Sequence, residues 1–510
     1  MKRTLITGIL LLALALGCII GTGVAVGKTA ETLVWTETPL YGDRSAAAGV
    51  EAAVGTSLDR RLLWDSTLDF GADETAARTQ FRFSLSQVRL RWAPEERGLQ
   101  LWLDFGRGYS FPQGKTLEQL RETYAYDINL TTMLPLLQTA ADQTGAGQTR
   151  VTVLRLRDFY EFYPFEHSLD LGMMGGSEWA KNVQPVREFF RVPVPEDALV
   201  SVQVRKNDAG LITEIDCRSG EWETADTSNS VGVSWAYPVP EPAAAAPVTE
   251  ADFSGVSAVT EDYCFFAFSS FDAEGRPLVD TSRIPGGRGV YRLPYTRDQS
   301  GAAAYDATKL ETVFPLPENE PVLALGADGE DRPLLFTAAD GQLTLTVLDP
   351  AGRTELQRVT LGTFDPADGW ACEMLLIFDD WLILESARRD LYVAELDGEG
   401  LWRAGLQASR ATVEENWPQP PISDGQWPSG SRAFAWDGGR LAVAEGLYEP
   451  SRGGSNGDFL LEVFDRNGLQ YFARMDSSLP APPPLADSRY DYIRAEDGLN
   501  GTGGFRIWFT

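Results

Sequence analysis

The stretch "FLLEVFDRNGLQYFARM", residues 459 to 475, is two apolar runs joined by Asp-Arg-Asn-Gly. Asp465 stands where a turn needs a side chain that accepts backbone N–H groups. Gly468 stands where the left-handed conformation returns the chain into an antiparallel partner. The stretch predicts a β-hairpin, and the architecture depends on whether that hairpin recurs.

It recurs. "LTLTVLDPAGRTELQRVTL" places Asp349 and Gly352 between alternating runs, "LYVAELDGEGLWRAGLQ" places Asp397 and Gly400, and "VSVQVRKNDAGLITEIDC" places Asn207 and Gly210. A shorter version, "SSFDAEGRPLVD", holds Asp272 and Gly275. Between residues 320 and 408 the strands come in fours: "PVLALGAD", "RPLLFTAAD", "LTLTVLD" and "ELQRVTLG", then "EMLLIFDD", "WLILESA", "DLYVAELD" and "LWRAGLQ".

A repeat of about 40 to 50 residues with four strands is the sequence sign of a propeller blade. Over roughly residues 260 to 510 the chain resembles the β-propeller repeat proteins as a class, on strand rhythm and Asx-x-x-Gly turns. The resemblance implies an all-β fold of four-stranded antiparallel blades in a closed ring. The terminal strand "GGFRIWFT" must bury Ile507 and Phe509, and an early segment of the same chain is its expected partner.

The first half is also strand-rich, in "EAAVGTSLDRRLLWDSTLDF", "QFRFSLSQVRLRW", "GLQLWLDFG", "RVTVLRLRDFYEF" and "VGVSWAY". Added to residues 250–510 it would give one ring of about seven or eight blades. The linker-like "YPVPEPAAAAPVTEA", residues 237 to 251, instead allows an N-terminal β-rich domain, 28–249, before a smaller propeller. The expected helical insert is 117 to 144, with Asp127 or Thr131 capping its second piece and Pro135 interrupting any long helix.

The chain opens with Lys2 and Arg3 ahead of an uncharged run from Thr4 to Gly27. That run reaches the roughly 20 residues of a membrane-spanning helix. It predicts a cytoplasmic stub, residues 1–3, a transmembrane anchor or signal segment, residues 4–27, and an extracytoplasmic bulk. Cleavage after Gly27, and lipidation at Cys18 within "ALGC", are the alternatives.

The chain has 44 Lys and Arg against 73 Asp and Glu, a formal net charge of −29. Such a surface repels phosphate backbones, so no nucleic-acid partner is expected; solubility of a large exterior protein accounts for the acidity. Cys217, Cys264 and Cys372 lie in strand-like runs and read as small core residues.

Catalytic signals are thin. His167 is the only histidine, so no His-rich zinc site can form, and neither metal nor cofactor is expected. "GGSNG" matches a nucleophile elbow with Ser455 in the nucleophile's place, but a strand-like run follows it where a helix is required. "RDFYEFYPFEHSLDLG", residues 157 to 172, sets Tyr160 and Tyr163 among Asp158, Glu161, Glu166 and Asp170. It reads either as a glycan cleft or as a strand pair with aromatics turned into the core. "FDDW" reads as an acidic turn at Asp379 and Asp380, and "GADGED" around Asp328 and Asp331 as a loop short of a calcium ladder.

The Pro-rich "ENWPQPPISDGQWPSGSR" carries Trp417 and Trp427, which either grip a partner or cover the rim of a blade. With no catalytic set, the sequence points to a membrane-tethered, non-enzymatic binding or scaffolding protein with a protein or glycan ligand. A propeller enzyme acting on glycans and the exterior sensory part of a membrane assembly are the alternatives. The candidate contact residues are Trp417, Trp427, Tyr160 and Tyr163.

Overall fold

The computed structural model describes residues 33–58, 62–83, 96–102, 108–124, 128–171, 183–219, 253–297, 303–365, 370–410, 427–448, 458–479, 490–492 and 505–510, with Gly17 and Gly21. The linker-like stretch 237–251 and the remainder of 4–27 lie outside the described residues. Among the described residues no helix is long and apolar enough to cross a membrane.

The fold is all-β, and it is built as two compact units: residues 1–93 with 373–510, and residues 94–372. The first unit thus combines an early and a late segment of the chain, and residues 249 and 250 lie outside the described residues.

Within the first unit, the strands Cys372–Ile377, Trp381–Ser386, Asp390–Leu396 and Trp402–Ser409 form one four-stranded antiparallel meander. Trp427–Trp436, Leu441–Tyr448, Phe459–Asp465 and Gly468–Ser477 form the next, and Trp35–Gly42 adds to it beside Gly468–Ser477. In a third sheet, Val50–Leu58 lies between Leu62–Phe70 and two segments from the far end of the chain, Tyr490–Tyr492 and Phe505–Phe509. The register Val50↔Phe509 through Val54↔Phe505 gives the terminal strand its early partner, with Ile507 buried and Phe509 packed on the same core.

Strand periodicity explains how these sheets stack. Successive side chains of a strand point to opposite faces. Ala442, Ala444, Leu461, Val463, Tyr471 and Ala473 turn one way, against Ala52, Val54, Leu68 and Phe70 of the third sheet. Leu441, Val443, Leu460, Phe464 and Phe472 turn the other way, against Ile383, Leu391, Val393 and Leu406 of the first. A sheet buried on both faces has no polar side, which is why "LAVAEG" and "FLLEVF" read as continuous apolar runs.

The second unit repeats the device. Gly255–Val259, Tyr263–Phe268 and Gly289–Arg297 form a sheet with Ala303–Tyr305 and Glu311–Pro315. Phe265 and Ala267 face Val322, Leu325 and Leu335 of the meander formed by Val322–Ala327, Pro333–Ala339, Gln342–Leu348 and Glu355–Thr363. Phe266, Phe268, Tyr291 and Leu293 face a larger core shared with the sheet of Gly108–Lys115, Ile212–Ser219, Leu199–Lys206 and Thr149–Arg155. The pair Glu96–Trp102 and Glu166–Leu171 completes the unit's described strands.

The Asx-x-x-Gly turns share one device, a side-chain oxygen that accepts backbone N–H groups of its own turn. Asp272 Oδ1 accepts the N–H groups of Glu274 and Arg276 at 3.0 and 2.9 Å, and Asp397 Oδ1 those of Glu399 and Leu401 at 2.9 and 3.0 Å. Backbone bonds, those from Arg276 and Leu401 being the largest cause, hold both carboxyls below the usual range. Asp349, Asp465 and Asn207 accept equivalent bonds. At Gly352 the turn demands glycine twice over: φ is +72°, and a Cβ there would lie 2.4 Å from Phe265 Cε1. In "GADGED" Asp331 occupies the glycine position at φ 58°, and Asp328 caps the turn and pairs with Arg332.

Three expectations are corrected. Pro135 does not interrupt its helix, which runs from Ile128 to Asp142. Burial of Met133, Leu136, Leu137, Ala140 and Ala141 offsets the lost hydrogen bond. Thr131 sits inside that helix and Asp127 lies outside the described residues; the capping box belongs to Thr116 and Gln119 on the preceding helix, Leu117–Thr123. The aromatic stretch 157–165 is not strand; only Glu166–Leu171 is. Cys217 and Cys264 are buried as expected, and Cys372 is half-buried.

Deleting residues 505–510 should cost the first unit about 3 kcal/mol or more, because Ile507 leaves the core and Val50–Val54 lose their partners. Denaturant unfolding of the truncated chain measures this; an unchanged midpoint would rule out the terminal strand as a structural closure.

Candidate functional site

Glutamates interrupt the apolar runs of the first unit at positions that face the neighbouring sheet. Glu385 follows Trp381 and Ile383 in parity, Glu445 follows Leu441 and Val443, and Glu462 lies between Leu460 and Phe464. All three are buried, at 0, 1 and 1% exposure. Arg410, which follows Ser409 out of its strand, is buried among them. Its Nε and Nη2 grip both oxygens of Glu462 at 2.8 and 2.6 Å, Nη2 reaches Glu445 at 2.7 Å, and Nη1 lies 3.5 Å from Glu385. Arg432 donates to Glu445 at 2.8 Å and also to Glu385.

Three carboxylates thus share two guanidiniums between two sheets. Burial works against charge at Glu385, Glu445 and Arg410. At Glu445 the two arginines overcome it and hold the carboxyl low, whereas at Glu385 burial prevails and pushes the carboxyl up. Arg410 is held well above its ordinary value by the glutamates around it, against its burial. The cluster bolts two sheets together and leaves none of its three carboxylates as a free acid or base.

Glu37, on the edge strand Trp35–Gly42, works the same way. Burial opposes its charge, but it accepts from Arg44 Nε at 2.9 Å, and from Thr75 and Tyr471, which together hold it low. Thr75 and Tyr471 belong to different sheets, so this carboxylate pins the edge strand to both.

In the second unit His167 is buried, its Nε2 3.0 Å from the Tyr305 hydroxyl and its Nδ1 without a hydrogen-bond partner among the described residues. Burial, with the Arg187 charge nearby, brings its pKa down to about 4. Tyr163 is buried against Phe165 and Phe253. Tyr160 is half-buried, its hydroxyl given to the Thr132 carbonyl and its pKa pushed up to about 12 by burial. Neither ring is an open platform. Asp158 and Glu161 are exposed and Asp170 is half-buried, while Glu166 is buried within the field of Arg187. Asp379 and Asp380 form the exposed turn expected of them.

Ser455 and Trp417 lie outside the described residues. Trp427 begins the strand Trp427–Trp436, and its side chain lies outside them as well. The 411–426 segment runs between Arg410 and the strand of Arg432, both fixed by the glutamate cluster.

A cavity of about 540 Å3 opens where turns of two sheets of the second unit meet. Thr260, Glu261 and Asp262 form one wall, Tyr295 and Arg297 another, and Asp331 a third. Asp331 Oδ1 accepts the Glu261 N–H at 3.1 Å, and the Asp262 carbonyl accepts the Tyr295 N–H at 3.1 Å, so backbone bonds fix the rim. The Arg297 guanidinium lies 5.7 Å from the Tyr295 ring centroid. This rim presents the carboxylates of Glu261, Asp262 and Asp331 and the guanidinium of Arg297, while the Tyr295 hydroxyl is buried and given to the Thr260 carbonyl.

Sequence reasoning missed the glutamate cluster and the cavity. A glutamate flanked by apolar residues in a strand without alternation is the signal that would have found the first, since such a strand exposes neither face. The cavity has no local signal, because its walls come from two turns and the end of a strand that are far apart in the sequence.

No protein-family model and no curated protein sequence matches the chain. Similar solved structures include a quinoprotein alcohol dehydrogenase-like protein from Bacteroides thetaiotaomicron, at 7% identity over 85% of this chain and 91% of that one, TM-score 0.22. A protein from Lactobacillus plantarum is similar at 10% identity over 64% and 83%, TM-score 0.21. Virginiamycin B lyase from Staphylococcus aureus is similar at 9% identity over 64% and 99%, TM-score 0.18. Likenesses this slight carry no argument, and the fold rests on the chain's own sheets.

Two outcomes follow from the buried charges. Glu445→Gln removes the carboxylate that both arginines hold low and should destabilise by about 3 kcal/mol, whereas Glu385→Gln neutralises the carboxyl at which burial prevails and should stay within about 1 kcal/mol of the parent. Equal losses in chemical denaturation would refute this division of roles.

His167 has a folded pKa of about 4 against an ordinary 6.5. Its neutral form therefore contributes stability that is complete above pH 6.5 and lost as pH falls through about 4, about 3 kcal/mol in all. In His167→Gln that part of the acid limb should flatten.

Proposed function

We propose that the chain is an extracytoplasmic, membrane-tethered β-propeller that acts by binding a protein or glycan partner rather than by turnover. In this reading the four-stranded sheets are propeller blades, and the Thr4–Gly27 run holds the chain at the cell membrane. The observation that carries the binding role is the rim cavity of Thr260, Glu261, Asp262, Tyr295, Arg297 and Asp331, built from two turns and the end of a strand, at the loop side where a propeller presents its variable surface. The cluster around Arg410 supports it indirectly: its buried carboxylates are committed to joining sheets, so they serve a rigid frame. Trp417 and Trp427, on the segment rooted between Arg410 and Arg432, are a second proposed contact.

Partners should be sought by purifying the chain from solubilised membranes and identifying what accompanies it by mass spectrometry. Glu261→Gln with Asp262→Asn, and separately Trp417→Ala with Trp427→Ala, should weaken retention of a genuine partner by roughly 2 kcal/mol while stability changes by less than about 1 kcal/mol. Retention unaffected by either pair would overturn the contact assignment. Release of sugar from a glycan by the purified chain would favour the enzymatic alternative, and recovery of a soluble form beginning at Lys28 would replace tethering by cleavage.

A further inference from the structure

We propose that Asn467 is a site of spontaneous covalent modification, converting through a cyclic imide to aspartate and isoaspartate in the hairpin that joins Phe459–Asp465 to Gly468–Ser477. The reaction requires an asparagine side-chain amide next to an unhindered backbone nitrogen. Arg466 and Asn467 are exposed at the tip of the turn. Gly468 follows at φ +96°, and nothing lies within 4 Å of the place a Cβ would occupy, so no neighbouring side chain crowds its Cα; it is the closing ladder partner of Asp465, and its nitrogen becomes available when that last pair opens.

The atoms balance. The Gly468 backbone nitrogen attacks Asn467 Cγ, the Cγ–Nδ2 bond breaks, and ammonia leaves with the amide proton of Gly468. Water then opens the five-membered imide at either carbonyl, giving an ordinary aspartyl link or an isoaspartyl link in which the backbone passes through the former side chain. Water is the only co-reactant.

The position makes the change consequential. Asn467 Nδ2 donates to Asp465 Oδ2 at 3.2 Å, and the Asn467 N–H donates to Oδ1 at 2.7 Å. A carboxylate formed at 467 exchanges the first bond for repulsion between like charges. The isoaspartyl link also lengthens a turn whose two strands are buried on both faces and set the register Phe459↔Met475 through Asp465↔Gly468.

The full chain, incubated at mildly alkaline pH and body temperature, should be digested at intervals and mapped by mass spectrometry. The peptide containing Asn467 should gain the mass of amide-to-acid exchange and split into two chromatographic forms, one a substrate for isoaspartyl methyltransferase. The melting temperature of the aged protein should fall. Asn467→Gln, which keeps the amide but disfavours the five-membered ring, should abolish both peptide forms and reduce that fall. An unchanged Asn467 peptide after incubation that converts the Asn456-Gly457 and Asn500-Gly501 peptides would overturn the proposal.

Discussion

Burial of a β-sheet on both faces governs this protein. A sheet with one wet face can place polar residues on alternate positions, but a sheet between two others cannot, and any charge on it must find its counter-charge inside. The meander from 427 to 477 is such a sheet. Its alternate residues meet two different neighbours, so its strands are apolar at most buried positions and much of its polar chemistry gathers in two places. One is the turns, where carboxylates bind the backbone of their own loops. The other is the pair of buried junctions around Arg410 and Glu37.

These junctions specify more than they stabilise. Ion clusters removed from water recover little net energy beyond their desolvation cost, but they penalise any misplacement that would strand a charge. Glu385, Glu445 and Glu462 come from three strands of two sheets, and Arg410 reaches all three. Sliding one sheet over the other by a strand spacing would keep much of the apolar packing and lose this match. The register between neighbouring sheets is therefore set by charge, while adhesion comes from aliphatic and aromatic packing.

What was legible in the sequence follows from the range of the interactions. The Asx-x-x-Gly turns close within a few residues, so Asp272, Asp349, Asp397 and Asp465 could be read directly. The meanders at 322–363 and 372–409 followed from their spacing. The pairing of the last strand with an early one was readable in kind, since Ile507 had to be covered, but the choice of Val50–Val54 was not. The helix across Pro135 escaped because tertiary burial outweighed a local preference. Tyr160 and Tyr163 looked like a platform because spacing cannot tell a core aromatic from an exposed one. The glutamate cluster escaped because Arg410 lies 25, 35 and 52 residues from its three glutamates and meets them only when sheets stack.

The first unit is assembled from both ends of the chain, and this has a bearing on the order in which the protein matures. Residues 94–372 are contiguous and hold the described strands of their unit, so they are available for folding as soon as they emerge from the ribosome. Residues 35–83 emerge earlier but must wait. Val50–Leu58 needs Phe505–Phe509, and Trp35–Gly42 needs Gly468–Ser477, each more than 400 residues downstream. During that interval an early hairpin with an open edge is exposed to mispairing with other nascent chains. Protection of that edge, by a chaperone or by rapid delivery of the C-terminal strands, becomes a requirement that the finished fold no longer displays.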